Sequence, residues 1–102
     1  MIVINRFRVP VHERDGFCAQ SDVAVELLRS RPGLLSLDLV LNLDDEELWS
    51  LVTRWENVGA YRNALGGYEA KMALTPLLSR VIDEPSAYAD PDEVGWNLPR
   101  SL

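Results

Sequence analysis

Among its 102 positions the chain has one cysteine, one histidine and no run of basic residues. One thiol, Cys18, excludes an internal disulfide, and its phase puts it near the apolar side of a helix as a buried, inert group. The compartment expected from this is the cytoplasm. The one histidine, His12, lies in a charged connector and is expected to be solvated; the sequence shows no metal-spaced His/Cys cluster and no Ser-His pairing. Nor is there a glycine-rich phosphate loop. The ten basic residues are scattered, and the net charge of −6 turns the surface away from nucleic acid and anionic membranes. No apolar run approaches the ~20 residues a membrane span needs. The opening Met1-Ile-Val-Ile-Asn-Arg6 has no charged leader and reads directly as a strand.

What is present suits one small domain. Hydrophobic residues make up 47% of the chain, enough for a core. Ile2 to Val9 alternates, with Val3, Asn5, Phe7 and Val9 on one face and Pro10 at its end. Asn5 is an amide on an otherwise apolar face. Leaving it unpaired costs about 1–3 kcal/mol, so its partner is either a neighbouring backbone group or a ligand. Asp15 to Arg31 has helical spacing, with Phe17, Cys18, Ser21, Ala24, Val25 and Leu28 on one stripe and Val23 and Leu27 outside it. Arg31-Pro32-Gly33 stops that helix.

Leu34 to Asn42 reads as a strand with Leu35, Leu37, Leu39 and Leu41 on one face. The acidic hairpin that follows, Asn42 to Glu46, is a solvated turn, not an acid/base pair. Glu47 to Trp55 alternates again, and Asn57 then caps a helix from Val58 to the glycines at 66 and 67. This strand-to-helix switch carries Trp55 on the strand and Tyr61 on the helix. Both combine an apolar ring with a hydrogen-bond donor, which points to a pocket for a flat, partly polar molecule. A large indole wedged purely as core is the alternative for Trp55.

Tyr68 to Leu74 starts another helical run, which Pro76 should interrupt, with Thr75 capping a last turn. A short fourth strand is expected at Ser86 to Ala89. The domain is expected to span residues 1–89, and a polar tail residues 90–102, in which Trp96 and Leu98 wait for something to pack on.

The order β-α-β-β-α-β predicts an α+β, ferredoxin-like domain with an antiparallel sheet. Alternation leaves apolar residues on both sheet faces. Helices cover one; a second copy of the same sheet is the economical cover for the other, which predicts a homodimer.

Asn5-Arg6, Pro32-Gly33 and Leu51-Val-Thr-Arg-Trp-Glu-Asn57 with Ala60-Tyr61 resemble the antibiotic biosynthesis monooxygenase family over roughly residues 2–89. The resemblance implies a dimeric α/β barrel of two ferredoxin-like subunits. It also implies oxidation of an aromatic phenol, quinol or polyketide by dioxygen with no cofactor and no metal. Asn5, Trp55 and Tyr61 become the expected catalytic donors, with a substrate-binding wall from Phe7, Leu51, Arg62, Tyr68 and Met72. Such a reaction draws its reactivity from the substrate, so donors placed at a developing phenolate are what the protein must supply. The pattern departs in two places. Leu51 stands where the polyketide enzymes have an asparagine, and Thr75 where they have an arginine, with Arg80 the nearest substitute. The family's haem-degrading members carry a tryptophan and a ligating histidine where this chain has Ala64 and Ala73, so that activity is disfavoured. A dimeric small-molecule binding protein without turnover is the alternative.

Overall fold

Four strands and three helices follow from these patterns in the computed structural model, which describes residues 1–94. β1 (Ile2–Arg8) leads through a 3₁₀ turn at Val11–Glu13 into α1 (Arg14–Arg29). β2 (Leu34–Leu41) and β3 (Leu48–Trp55) form the hairpin. α2 (Val58–Ala64) and α3 (Tyr68–Leu78) then lead to the short β4 (Ala87–Tyr88). The sheet order is β2-β3-β1-β4, and every neighbouring pair is antiparallel. Two parallel strands are therefore split by a third in each half, the ferredoxin-like arrangement of an α+β domain.

The core lies where the helices meet one face of this sheet. Residues two apart share a face, so Val3 and Phe7 of β1 line up with Leu51, Thr53 and Trp55 of β3. Against them pack Phe17, Ala24, Leu27 and Leu28 of α1, and Ala70, Leu74 and Leu77 of α3. Ser21 sits buried in the same stripe because its hydroxyl donates to the Phe17 carbonyl at 2.8 Å. Leu27, expected outside the stripe, belongs to this core, and Val23 does stay exposed. The difference is one of width: α1 packs against both the sheet and α3, so its buried arc is broader than a single stripe.

Three local devices shape the frame. A register shift between Leu34 and Ser36 bulges Leu35 out of the β2 ladder and leaves it 64% exposed. That overturns its expected place beside Leu37, Leu39 and Leu41, because one extra residue breaks strict alternation. α3 also runs without interruption through Pro76. Near the end of a helix the missing N–H costs one hydrogen bond, and buried Leu74 and Leu77 hold both sides of the proline in place. Finally, Gly33 has φ +90°, and a Cβ there would lie 2.6 Å from the Ala60 Cβ. Its carbonyl also accepts from the Glu56 N–H at 2.9 Å. A glycine at this point lets α2 approach the start of β2.

The sheet's other face carries Ile2, Ile4, Val40 and Val52, together with Arg6, whose guanidinium forks onto Glu84 at 2.6 and 2.8 Å. That fork holds the Glu84 carboxyl below its usual range and raises the arginine. Beyond β4, Asp90 to Val94 forms a turn; Trp96 and Leu98 lie outside the described residues. Among the described residues no helix is long and apolar enough to cross a membrane.

Candidate active site

Between sheet and helices lies a cavity of about 180 Å³. Its floor is the inner face of β1 and β3: Val3 and Asn5 beside Leu51, Thr53 and Trp55. In the register, Val3 faces Thr53 and Asn5 faces Leu51, so Asn5 and Thr53 are diagonal neighbours on one surface. Tyr61 of α2, Leu28 of α1 and Leu74, Leu77 and Leu78 of α3 complete the walls. Leu65 and Ser86 belong to the lining too, and Leu65 is exposed, which places an opening beside the α2–α3 junction.

The helix that supplies Tyr61 is set by a cap. Asn57 is extended, and its side-chain oxygen accepts from the Ala60 N–H at 2.8 Å. The Tyr61 ring then lies 6.0 Å from the Trp55 ring at 57°, a tilted aromatic pair. Burial pushes the Tyr61 phenol up from its ordinary value, so it is protonated and able to donate at neutral pH.

Three hydrogen-bonding arrangements define the polar part of the cavity. The Trp55 indole N–H donates to the Thr53 hydroxyl at 2.9 Å. The Asn5 amide makes no hydrogen bond with any described residue, and neither does the Tyr61 hydroxyl. Among the described residues the lining contains no Asp, Glu, His, Lys or Arg, and Tyr61 is its one ionisable group. The site therefore offers neutral donors in an apolar enclosure. Among the described residues no three His, Cys, Asp or Glu side chains gather as a metal-binding group.

Of the residues singled out from the sequence, the cavity brings together Asn5, Leu51, Trp55 and Tyr61. It does not include the other four. Phe7 is fully buried, but it packs on Phe17 at 5.2 Å, in an aromatic row that continues to Trp49 at 5.3 Å. Arg62 points to solvent on the outer side of α2. Tyr68 and Met72 are 79% and 58% exposed, because α3 turns Ala70, Leu74 and Leu77 inward instead. Sequence reasoning also passed over Thr53 and Ser86. Thr53 had a legible signal, its alternation with Leu51 and Trp55 on one strand face. Ser86 had none, since only the β1–β4 pairing carries it to the cavity: the Ile4 N–H donates to its carbonyl at 2.8 Å.

Comparison with known proteins agrees with this architecture. No curated protein sequence matches the chain. Among solved structures, the cofactor-independent oxygenase SnoaB from Streptomyces nogalater superposes with a TM-score of 0.72 at 20% identity, covering 86% of this chain and 90% of that one. The Rv0793 protein of Mycobacterium tuberculosis gives a TM-score of 0.66 at 22% identity, over 84% and 86% of the two chains. A conserved protein from Methanosarcina mazei gives 0.69 at 17% identity, over 84% of each chain. At these identities the likeness is one of fold. The family model for antibiotic biosynthesis monooxygenases matches residues 1–74, well over half of the sequence. The chain belongs to the antibiotic biosynthesis monooxygenase family.

Proposed function

We propose that this protein is a cofactor-independent monooxygenase that oxidises a small aromatic phenol or quinol with dioxygen. One observation carries the reading: an apolar cavity in which the Asn5 amide and the Tyr61 hydroxyl are both unpaired. The Asn5 amide is half-buried in the cavity wall, and a bound oxygen atom supplies the hydrogen-bond partner that it lacks among the described residues. The same donors stabilise charge that builds on that oxygen as the phenol ionises, in an enclosure where such interactions are stronger than in water.

The chemistry then belongs to the substrate. The phenolate ring gives electrons to dioxygen, and one oxygen atom bonds to a ring carbon. The ring C–H and the phenolic O–H are lost, a quinone carbonyl forms, and the second oxygen atom leaves as water. Among the described residues no carboxylate or histidine lines the cavity to take the phenolic proton, so ionisation follows the substrate's own acidity. Turnover should rise with pH through the substrate's pKa.

The protein works as a homodimer in this proposal, each copy covering the Ile2, Ile4, Val40 and Val52 face of the other. The single thiol, Cys18, suits the reducing cytoplasm. A second reading, ligand binding without turnover, is favoured by the absence of a base in the lining and by Leu51 at a position where the polyketide enzymes have a polar group.

Oxygen consumption with a panel of hydroquinones and anthrones separates the two. Uptake above autoxidation, lost in a folded Asn5→Ala variant, is the expected result. No uptake from any member of the panel, with binding retained, would leave the binding protein.

A further inference from the structure

The cavity restricts its ligand in size, charge and hydrogen bonding. A cavity of about 150 Å³ lined by aliphatic and aromatic side chains is known to accept benzene. At about 180 Å³ the present one has room for a ring and a small substituent. A three-ring skeleton needs roughly twice the volume of benzene at ordinary packing density. Among the described residues the lining has no Asp, Glu, His, Lys or Arg, so a carboxylate, phosphate or ammonium held inside the cavity would be unpaired.

Hydrogen-bond bookkeeping then identifies a donor. A threonine hydroxyl has one hydrogen to give and two lone pairs to accept with. Thr53 accepts from the Trp55 indole at 2.9 Å, and its own hydrogen goes to no described residue. The indole N–H is spent on Thr53, whereas the Thr53 hydrogen is free and Thr53 lines the cavity. Accepting one bond polarises a hydroxyl toward donating another.

Resting on the phenol-binding part of the proposed function, we infer that the ligand is a single-ring phenol without a charged substituent, whose oxygen accepts from the Thr53 hydroxyl. Trp55 acts behind Thr53 as a positioning residue, and Asn5, diagonal to Thr53 across the strand pair, supplies a second donor to the same oxygen.

The test is equilibrium binding to the purified protein of phenol, of toluene as its hydroxyl-free counterpart, and of anthrone. The unaltered protein should prefer phenol to toluene and bind anthrone much more weakly. Thr53→Val should weaken phenol roughly tenfold and leave toluene unchanged, whereas Thr53→Ser keeps the preference. An unchanged preference in Thr53→Val, or anthrone bound as tightly as phenol, would overturn the inference. Thr53→Val leaves the indole N–H unpaired, so a control needing no variant is included. Anisole, which accepts but cannot donate, should bind the unaltered protein more tightly than ethylbenzene of the same size, and equal affinities would overturn the donor assignment. Thr53-dependent phenol binding without oxygen uptake would uphold this inference and sink the oxygenase reading. Uptake from anthrone alone would do the reverse.

Discussion

The indole nitrogen of Trp55 and the hydroxyl of Thr53 are joined at 2.9 Å along one face of β3, so the largest side chain in the cavity wall has its polar atom satisfied from within the strand. Trp55 is thereby core and wall at once. Trp55→Phe removes the bond and part of the volume and should cost about 1–3 kcal/mol of stability in denaturant unfolding. Oxygen uptake per folded molecule should fall roughly tenfold as the Thr53 hydroxyl loses its anchor. Unchanged uptake would mark Trp55 as packing alone.

Gly33 and Gly67 both have positive φ, near +90°, yet they make different predictions. Alanine at 67 meets nothing within 4 Å, so its cost is the backbone strain alone, about 1–3 kcal/mol. Alanine at 33 adds a 2.6 Å approach to the Ala60 Cβ and should cost at least about 2 kcal/mol. It also displaces α2, so Gly33→Ala should weaken ligand binding where Gly67→Ala does not. Parallel thermal melts and binding titrations check both.

Leu77 is fully buried and lines the cavity. Leu77→Ala should destabilise by about 2–5 kcal/mol and widen the space above β1 and β3. The measurable consequence is a shift in size preference: a two-ring naphthol should gain affinity relative to phenol. If the ratio of the two affinities stays fixed, the pocket lies elsewhere.

Tyr61 predicts an alkaline effect. Burial raises its folded pKa above 10.0, so the unfolded chain releases this proton first. The contribution is fully present below the unfolded value and is lost as pH rises through the folded one. Stability of the unaltered protein should therefore fall above about pH 10 more steeply than that of Tyr61→Phe. Urea midpoints across that range measure the difference.

Ile4 and Val52 face each other across β1 and β3 on the side away from the cavity. In the proposed homodimer, Ile4→Glu buries an unpaired charge at the sheet–sheet contact and should convert dimer to monomer in analytical ultracentrifugation. A monomer in the unaltered protein would remove the dimer from the proposal.

The legible and the hidden parts of this protein divide by range. Alternation showed β1 and β3 and put Asn5 and Trp55 on inner faces, because side chains in a strand repeat every two residues whatever surrounds them. The Asn57 cap and the glycine stops bounded α2 for equally local reasons. Leu35 escaped that logic, since a bulge is decided by how β2 meets β3. Tyr68 and Met72 lie outside this cavity for a related reason: apolar residues on a short helix do not reveal which side its neighbours cover. Pro76 lies inside a helix because Leu74 and Leu77 pack on a sheet distant in sequence.

By itself, then, the sequence determined the element order, the antiparallel ferredoxin-like frame and the family, all of which rest on local periodicity and a short motif. The tertiary structure alone decided that the Thr53 hydroxyl accepts from the indole N–H, that Ser86 reaches the cavity from the sheet edge, and that the cavity is about 180 Å³. Volume and hydrogen-bond partnership depend on register between strands and on helix seating. Those are set by contacts between residues far apart in the chain, which no local pattern encodes.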